Sequence, residues 1–181
     1  PYNDIEQTKK ILTHYKKKIS CILIEPIQGG LPSIYALDYL KFLNNFSKKN
    51  KIILIFDEMI TGLRINCSSF QSTYNLKPDI TTFGKCFGGG MPIGIIAVNK
   101  SIENKIKKLK SRIFFGGTFS ANSISTYIGH TTVNYIIKNK DKIYQKIDTR
   151  SNFFYKKLNE IINNEKINVS LYRFHSIFRL V

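Results

Sequence analysis

Residues 51–64 read KIILIFDEMITGLR and residues 79–94 read DITTFGKCFGGGMPIG. The apolar run at 52–56 is short and β-branched and ends on an acid, Asp57, which is the pattern of a strand buried in a parallel sheet. Upstream, CILIEPI at 21–27 is a second run of the same kind, stopped by Pro26 and by Gly29-Gly30. Between the two, Ala36, Tyr39, Leu40, Leu43 and Phe46 fall on one helical face, with Ser33 placed to cap that helix and Asn50 suited to its left-handed stop. Strand, helix, strand is a βαβ unit, whose sheet is parallel and whose crossover is right-handed. Such sheets bind ligands beyond the carboxyl ends of their strands, which is where Asp57 stands.

Working outward, Ile5, Leu12, Tyr15 and Ile19 predict a helix over 5–19. Residues 79–84 and 93–98 predict two further strands that flank Lys85 and its glycines. Two helical stripes follow, one through Ile124, Tyr127, Ile128, Thr131 and Tyr135, the other through Ile143, Ile147, Phe154, Leu158 and Ile161. The pattern then turns β-like in INVSLYRFHSIFRLV at 167–181. A second, smaller domain is therefore expected to begin near residue 150, giving a division into 1–150 and 151–181.

The 181 residues are 43% apolar and 13% aromatic, enough for the core of one ordinary domain. The longest apolar run is far short of the roughly 20 residues that span a bilayer. With no secretory pattern at the N-terminus, no membrane partner is expected and the cytoplasm is the expected location. Three cysteines, Cys21, Cys67 and Cys86, form no CxxC pair, so neither a disulfide framework nor a zinc site is indicated, and Cys21 and Cys86 are expected in the core. The net charge of +16 and pI of about 9.8 raise a nucleic-acid partner. However, the lysines are spread along polar faces and helix ends without interleaved aromatic rings, so no nucleic-acid partner is expected.

An acid ending one buried strand and a lysine following the next is the arrangement that a pyridoxal-phosphate enzyme requires. The lysine, Lys85, forms the Schiff base, and the carboxylate, Asp57, keeps the pyridine nitrogen protonated so that the ring accepts electrons. The blander reading of Lys85 is a solvated surface lysine. Its flanks, Phe83-Gly84 and Cys86-Phe87-Gly88-Gly89-Gly90, instead predict an apolar, glycine-lined pocket that desolvates the amine. A phosphate-loop reading fails, because position 79 is Asp and Cys86 stands where Ser or Thr is needed. Asp57 has its own bland reading as a satisfied strand-end carboxylate, with Glu58 an ordinary surface acid. In FFGGTFSANSIS at 114–125, Thr118 follows two glycines and precedes a helix start, a context suited to a phosphate group. His14, His130 and His175 are isolated and are assigned no catalytic role.

Together ILIEPIQGG, LIFDEMITGLR, KPDITTFGKCFGGGMPIG and GGTFSANS resemble the class III aminotransferase family, and more closely its glutamate-1-semialdehyde 2,1-aminomutase branch. The resemblance implies a partial fold-type-I α/β large domain, a mostly parallel sheet with helices on both faces, followed by the start of a small α+β domain. It implies pyridoxal 5'-phosphate as cofactor, with Lys85 catalytic and Asp57 on the pyridine nitrogen. Met59 would pack on the ring, and Thr118 would reach the phosphate of a neighbouring subunit in a homodimer. The implied substrate is a small amino, keto or amino-aldehyde compound. Residues 60–64 look like the aminomutase form of their loop, whereas Gly30 stands where that branch carries asparagine and many transaminases carry glutamate. The family chain is more than twice this length, so a fragment lacking the N-terminal half is expected. A transaminase and an inactive module of the same fold remain the alternative readings.

Overall fold

The computed structural model describes residues 2–32, 36–111, 113–114 and 116–181. Its centre is a four-stranded sheet in the order β1 (Cys21–Ile24), β2 (Ile53–Asp57), β3 (Ile80–Gly84) and β4 (Gly94–Val98). The first three strands are parallel and β4 runs antiparallel to β3. The reversal has a simple cause: the connection at 85–93 is too short to carry the chain back for a parallel crossover. Helix α2 (Leu37–Asn50) makes the crossover between β1 and β2, as its apolar spacing predicted. It stops where Lys51, one residue past the expected Asn50, takes the left-handed conformation with φ 57°. Ser33, the expected cap, lies outside the described residues.

The core lies on one face of the sheet. Leu54 and Phe56 of β2 point into it and are met by Tyr39, Leu40 and Leu43 of α2 and by Leu12 of α1 (Ile5–Tyr15), all buried. Each such side chain contributes about 1.5–3 kcal/mol. Register places Leu23, Ile55, Ile80 and Val98 side by side on the other face. There Leu23 is 65% and Val98 39% exposed. The expectation that 21–27 forms a buried strand is thus half corrected: β1 is parallel, but it edges the sheet, so Ile22 and Ile24 pack inward while Cys21 and Leu23 are exposed. Cys86 is likewise only half-buried.

Beyond the sheet lie α3 (Phe70–Thr73), α4 (Lys100–Lys107), α5 (Ser123–Lys138) and α6 (Lys140–Asn164), then the hairpin β5 (Leu171–Phe174) and β6 (Ile177–Leu180). The apolar stripe expected to bury α5 faces outward instead, with Ile124 60%, Tyr127 73% and Tyr135 63% exposed. The helix packs by its small residues Ser125 and Gly129, because only glycine lets it approach the backbone at Phe87. Residue 150, the expected domain division, falls within the continuous helix α6, and Phe174 and Ile177 of the hairpin join the main core. Among the described residues no helix is long and apolar enough to cross a membrane.

A methyl group at Gly129 would stand 2.7 Å from the Phe87 carbonyl oxygen, a backbone atom with little room to yield. Gly129→Ala, which in an open helix would stabilise by about 1 kcal/mol, is therefore expected to destabilise by ~1–3 kcal/mol. The midpoint of urea unfolding, read at constant slope, measures it.

Candidate active site

The carboxyl ends of β2 and β3 bring Asp57, Met59 and Lys85 together. Asp57 ends β2 and pairs in register with Thr82 of β3. Its Oδ1 accepts the Met59 backbone N–H at 3.1 Å and the Thr82 hydroxyl at 3.0 Å. No described residue donates to Oδ2. Two donors therefore orient this half-buried carboxylate while one of its oxygens stays available to a cation or a protonated nitrogen.

Lys85 follows at the end of β3 and opens a short 3-10 turn, Lys85–Gly88. Its φ of 47° is left-handed, at a cost of about 1–2 kcal/mol for a residue with a side chain. Gly84 before it is buried, and a Cβ there would meet Met59 Cε at 2.5 Å and the Ile93 carbonyl oxygen at 2.8 Å. The Met59 thioether thus packs directly over the backbone that carries Lys85. The enclosed pocket expected around Lys85 is not formed by the described residues, and the side chain is exposed. The reason lies in the turn: it projects beyond the strand ends, and the face of the sheet that carries Asp57 is the open one.

Glu58 reverses its expected role. It is fully buried, and its carboxylate accepts the Phe70 N–H at 2.6 Å, the Gln71 N–H at 3.0 Å and the Thr61 hydroxyl at 2.9 Å. Burial pushes this carboxyl above its ordinary range, and the three donors pull in the opposite direction. The sequence carried no signal for this. An acid after a strand reads the same whether the chain turns outward or, as here, folds back over it. The loop is fastened at two further points. The Tyr144 hydroxyl of α6 donates to the Leu63 carbonyl at 2.9 Å, and Arg64 donates to the Ser176 carbonyl in the hairpin turn at 3.0 Å.

Thr118 is exposed and lines an open cleft of about 650 Å³ between the start of β4, at Ile93 to Ile95, and the start of α5, whose cap Asn122 accepts the Ser125 N–H. Asp57, Met59 and Lys85 are not among the residues that line this cleft. Gly30 adjoins open space, with no atom within 4 Å of where a Cβ would stand.

A family model described as aminotransferase class-III matches residues 2–170. Among curated relatives, a glutamate-1-semialdehyde 2,1-aminomutase from Methanococcus maripaludis is 34% identical over 99% of this chain and 42% of its own length. A protein of the same name from Wigglesworthia glossinidia brevipalpis is 36% identical over 99% of this chain and 41% of its own. Among solved structures, an omega-transaminase from Sphaerobacter thermophilus superposes with a TM-score of 0.87 at 24% identity, over 99% of this chain and 41% of that one. Ornithine aminotransferase from Plasmodium yoelii superposes with a TM-score of 0.77 at 26% identity, over 97% and 45%. The chain thus spans less than half the length of these relatives. The sheet and its helices are part of the fold-type-I large domain, as expected.

Burial pushes the Tyr144 hydroxyl up to about 12, from an ordinary 10.0. A group raised in this way contributes stability that is complete below the unfolded value and lost as pH climbs through the folded one. Tyr144→Phe leaves the Leu63 carbonyl without its donor and is expected to destabilise by ~1–2 kcal/mol at neutral pH. In urea unfolding series, the gap between variant and wild type should narrow as pH rises from 10 towards about 12.

Proposed function

The chain belongs to the class III aminotransferase family, and from that membership we propose that it is part of a pyridoxal-phosphate enzyme that moves an amino group. The first reading is a glutamate-1-semialdehyde 2,1-aminomutase, which forms 5-aminolevulinate by returning the amino group to a neighbouring carbon. The observation that carries the proposal is the Asp57 carboxylate at the end of β2, with Oδ1 locked by two donors and Oδ2 receiving none from the described residues, one strand over from the β3 end that carries Lys85. An anion held in this way favours the protonated form of a ring nitrogen, so the residues present fit the cofactor. When bound, pyridoxal phosphate supplies an aldehyde and an electron-accepting ring.

The remaining work belongs to the chain's own side chains. Lys85 carries its amine on a turn beyond the strand ends, open to an arriving substrate, and as a free base it takes a proton from one carbon and delivers it to another. Thr82 and the Met59 N–H keep the Asp57 carboxylate facing the site, and the Met59 thioether provides an apolar wall. Thr118 contributes its hydroxyl to a phosphate group. Thr118 lines a cleft that Lys85 does not line, which supports a reading in which the two contacts come from different subunits of a homodimer, with the active site at the interface. Residues 1–150 then belong to the cofactor-binding large domain, and residues 151–181 open the small one. A class III transaminase acting on ω-amino acids is the second reading. Gly30 carries neither the asparagine of the aminomutase branch nor the glutamate of many transaminases, so it argues for neither outcome.

Borohydride reduction of the protein with pyridoxal phosphate, followed by peptide mapping, tests the assignment. Lys85 should carry the reduced adduct, and Lys85→Ala should lose both the adduct and the visible absorbance while keeping the fold. Scattered labelling of a folded sample would refute a cofactor role for this chain on its own and would favour an inactive module.

A further inference from the structure

The loop that carries Asp57 and Met59 is built around a buried acid that the proposed reaction does not use. Glu58 sits between the two cofactor candidates, Asp57 and Met59. Its backbone N–H donates to the Thr82 carbonyl at 2.9 Å, and its own carbonyl accepts the Gly62 N–H at 3.0 Å. Its side chain reaches the other way, to the Phe70 and Gln71 N–H groups and the Thr61 hydroxyl. The Gln71 side chain then accepts the Thr81 hydroxyl at 3.1 Å. A closed circuit results. It runs from Asp57 through Thr82 into β3, back through Thr81 and Gln71, and home through the Glu58 carboxylate.

Every partner of that carboxylate is a donor. Two of them are backbone N–H groups with no freedom to turn around. An amide in place of the carboxylate would aim an NH2 group at one of the donors, leaving two buried polar groups opposed. An isolated buried carboxylate is costly to keep, so a site that retains one with three donors uses its geometry.

We propose that Glu58 is a positioning residue: by clamping the turn at 58–62 onto residues 70–71, it holds the Asp57 carboxylate and the Met59 side chain in the arrangement that receives the cofactor ring. The proposal rests on the reading of Asp57 and Met59 as cofactor contacts, but its local part can be tested without cofactor.

The first readout is hydrogen exchange at the Met59 amide, whose partner is Asp57 Oδ1, compared in wild type, Glu58→Gln and the milder Thr61→Val. Loosening the clamp should speed exchange about tenfold in Glu58→Gln and less in Thr61→Val. The second readout is the dissociation constant and the visible absorption maximum of added pyridoxal phosphate. Affinity should fall about tenfold in Glu58→Gln, with a displaced maximum, because the carboxylate beside the ring is no longer held. Leu40→Ala serves as the control for simple loss of stability. It should melt earlier yet leave the absorption maximum in place.

Unchanged Met59 exchange in folded Glu58→Gln overturns the proposal. So does faster exchange with wild-type affinity and spectrum. If Glu58→Gln does not fold, Thr61→Val decides by the same criteria. If wild type binds no pyridoxal phosphate, the cofactor reading fails, and the exchange rates alone still decide whether Glu58 holds the turn.

Discussion

A carboxylate with no access to water organises the most consequential stretch of this chain. The backbone leaves β2 at Asp57 and must turn sharply, and Glu58 gathers three donors from the returning segment to make that turn. A charged group in a dry interior is tolerated only when its lone pairs are satisfied, so the donors are as necessary to Glu58 as the acid is to them. The same bonds that satisfy the acid also fix the loop. Asp57 and Met59 flank the anchored residue and inherit its rigidity. Tyr144 and Arg64 extend the anchorage to α6 and to the hairpin, so the loop is held from three directions.

Close packing accomplishes on the other side what hydrogen bonding does here. Lys85 stands on a strained, left-handed backbone that the surroundings must impose. Two glycines make that possible. Gly84 admits Met59 and the Ile93 carbonyl to distances no side chain would allow, and Gly129 lets α5 press against Phe87 within the turn itself. The lysine is therefore set by contacts from the β2 loop, from the approach to β4 and from α5. Its amine stays at the surface of the chain, while the backbone beneath it is confined.

The sheet is unequal in its two faces, and this shapes the site. One face is closed by α1, α2 and the hairpin over Leu54 and Phe56. The other carries Leu23, Val98, Asp57 and Thr82 in register and is largely open. The outward stripe of α5 adds Ile124, Tyr127 and Tyr135 to the exposed apolar surface. Exposed apolar patches of large area are characteristic of contact with further protein.

The sequence alone determined the main elements and where the two candidate site residues stand. Strand character at 53–57 and 80–84, the helix between the first two strands and the placement of Asp57 and Lys85 at strand ends all follow from local periodicity and turn chemistry. These are set by neighbours a few positions away. Only the tertiary structure decided which acid was buried, because that depended on where residues 61, 70 and 71 came to rest relative to residue 58. It also decided that β1 edges the sheet formed by the described residues, that α5 buries its small residues in place of most of its apolar stripe, and that Thr118 lines a cleft that Lys85 does not line. Burial is a property of what the rest of the chain places against a residue, and no spacing along the sequence records it.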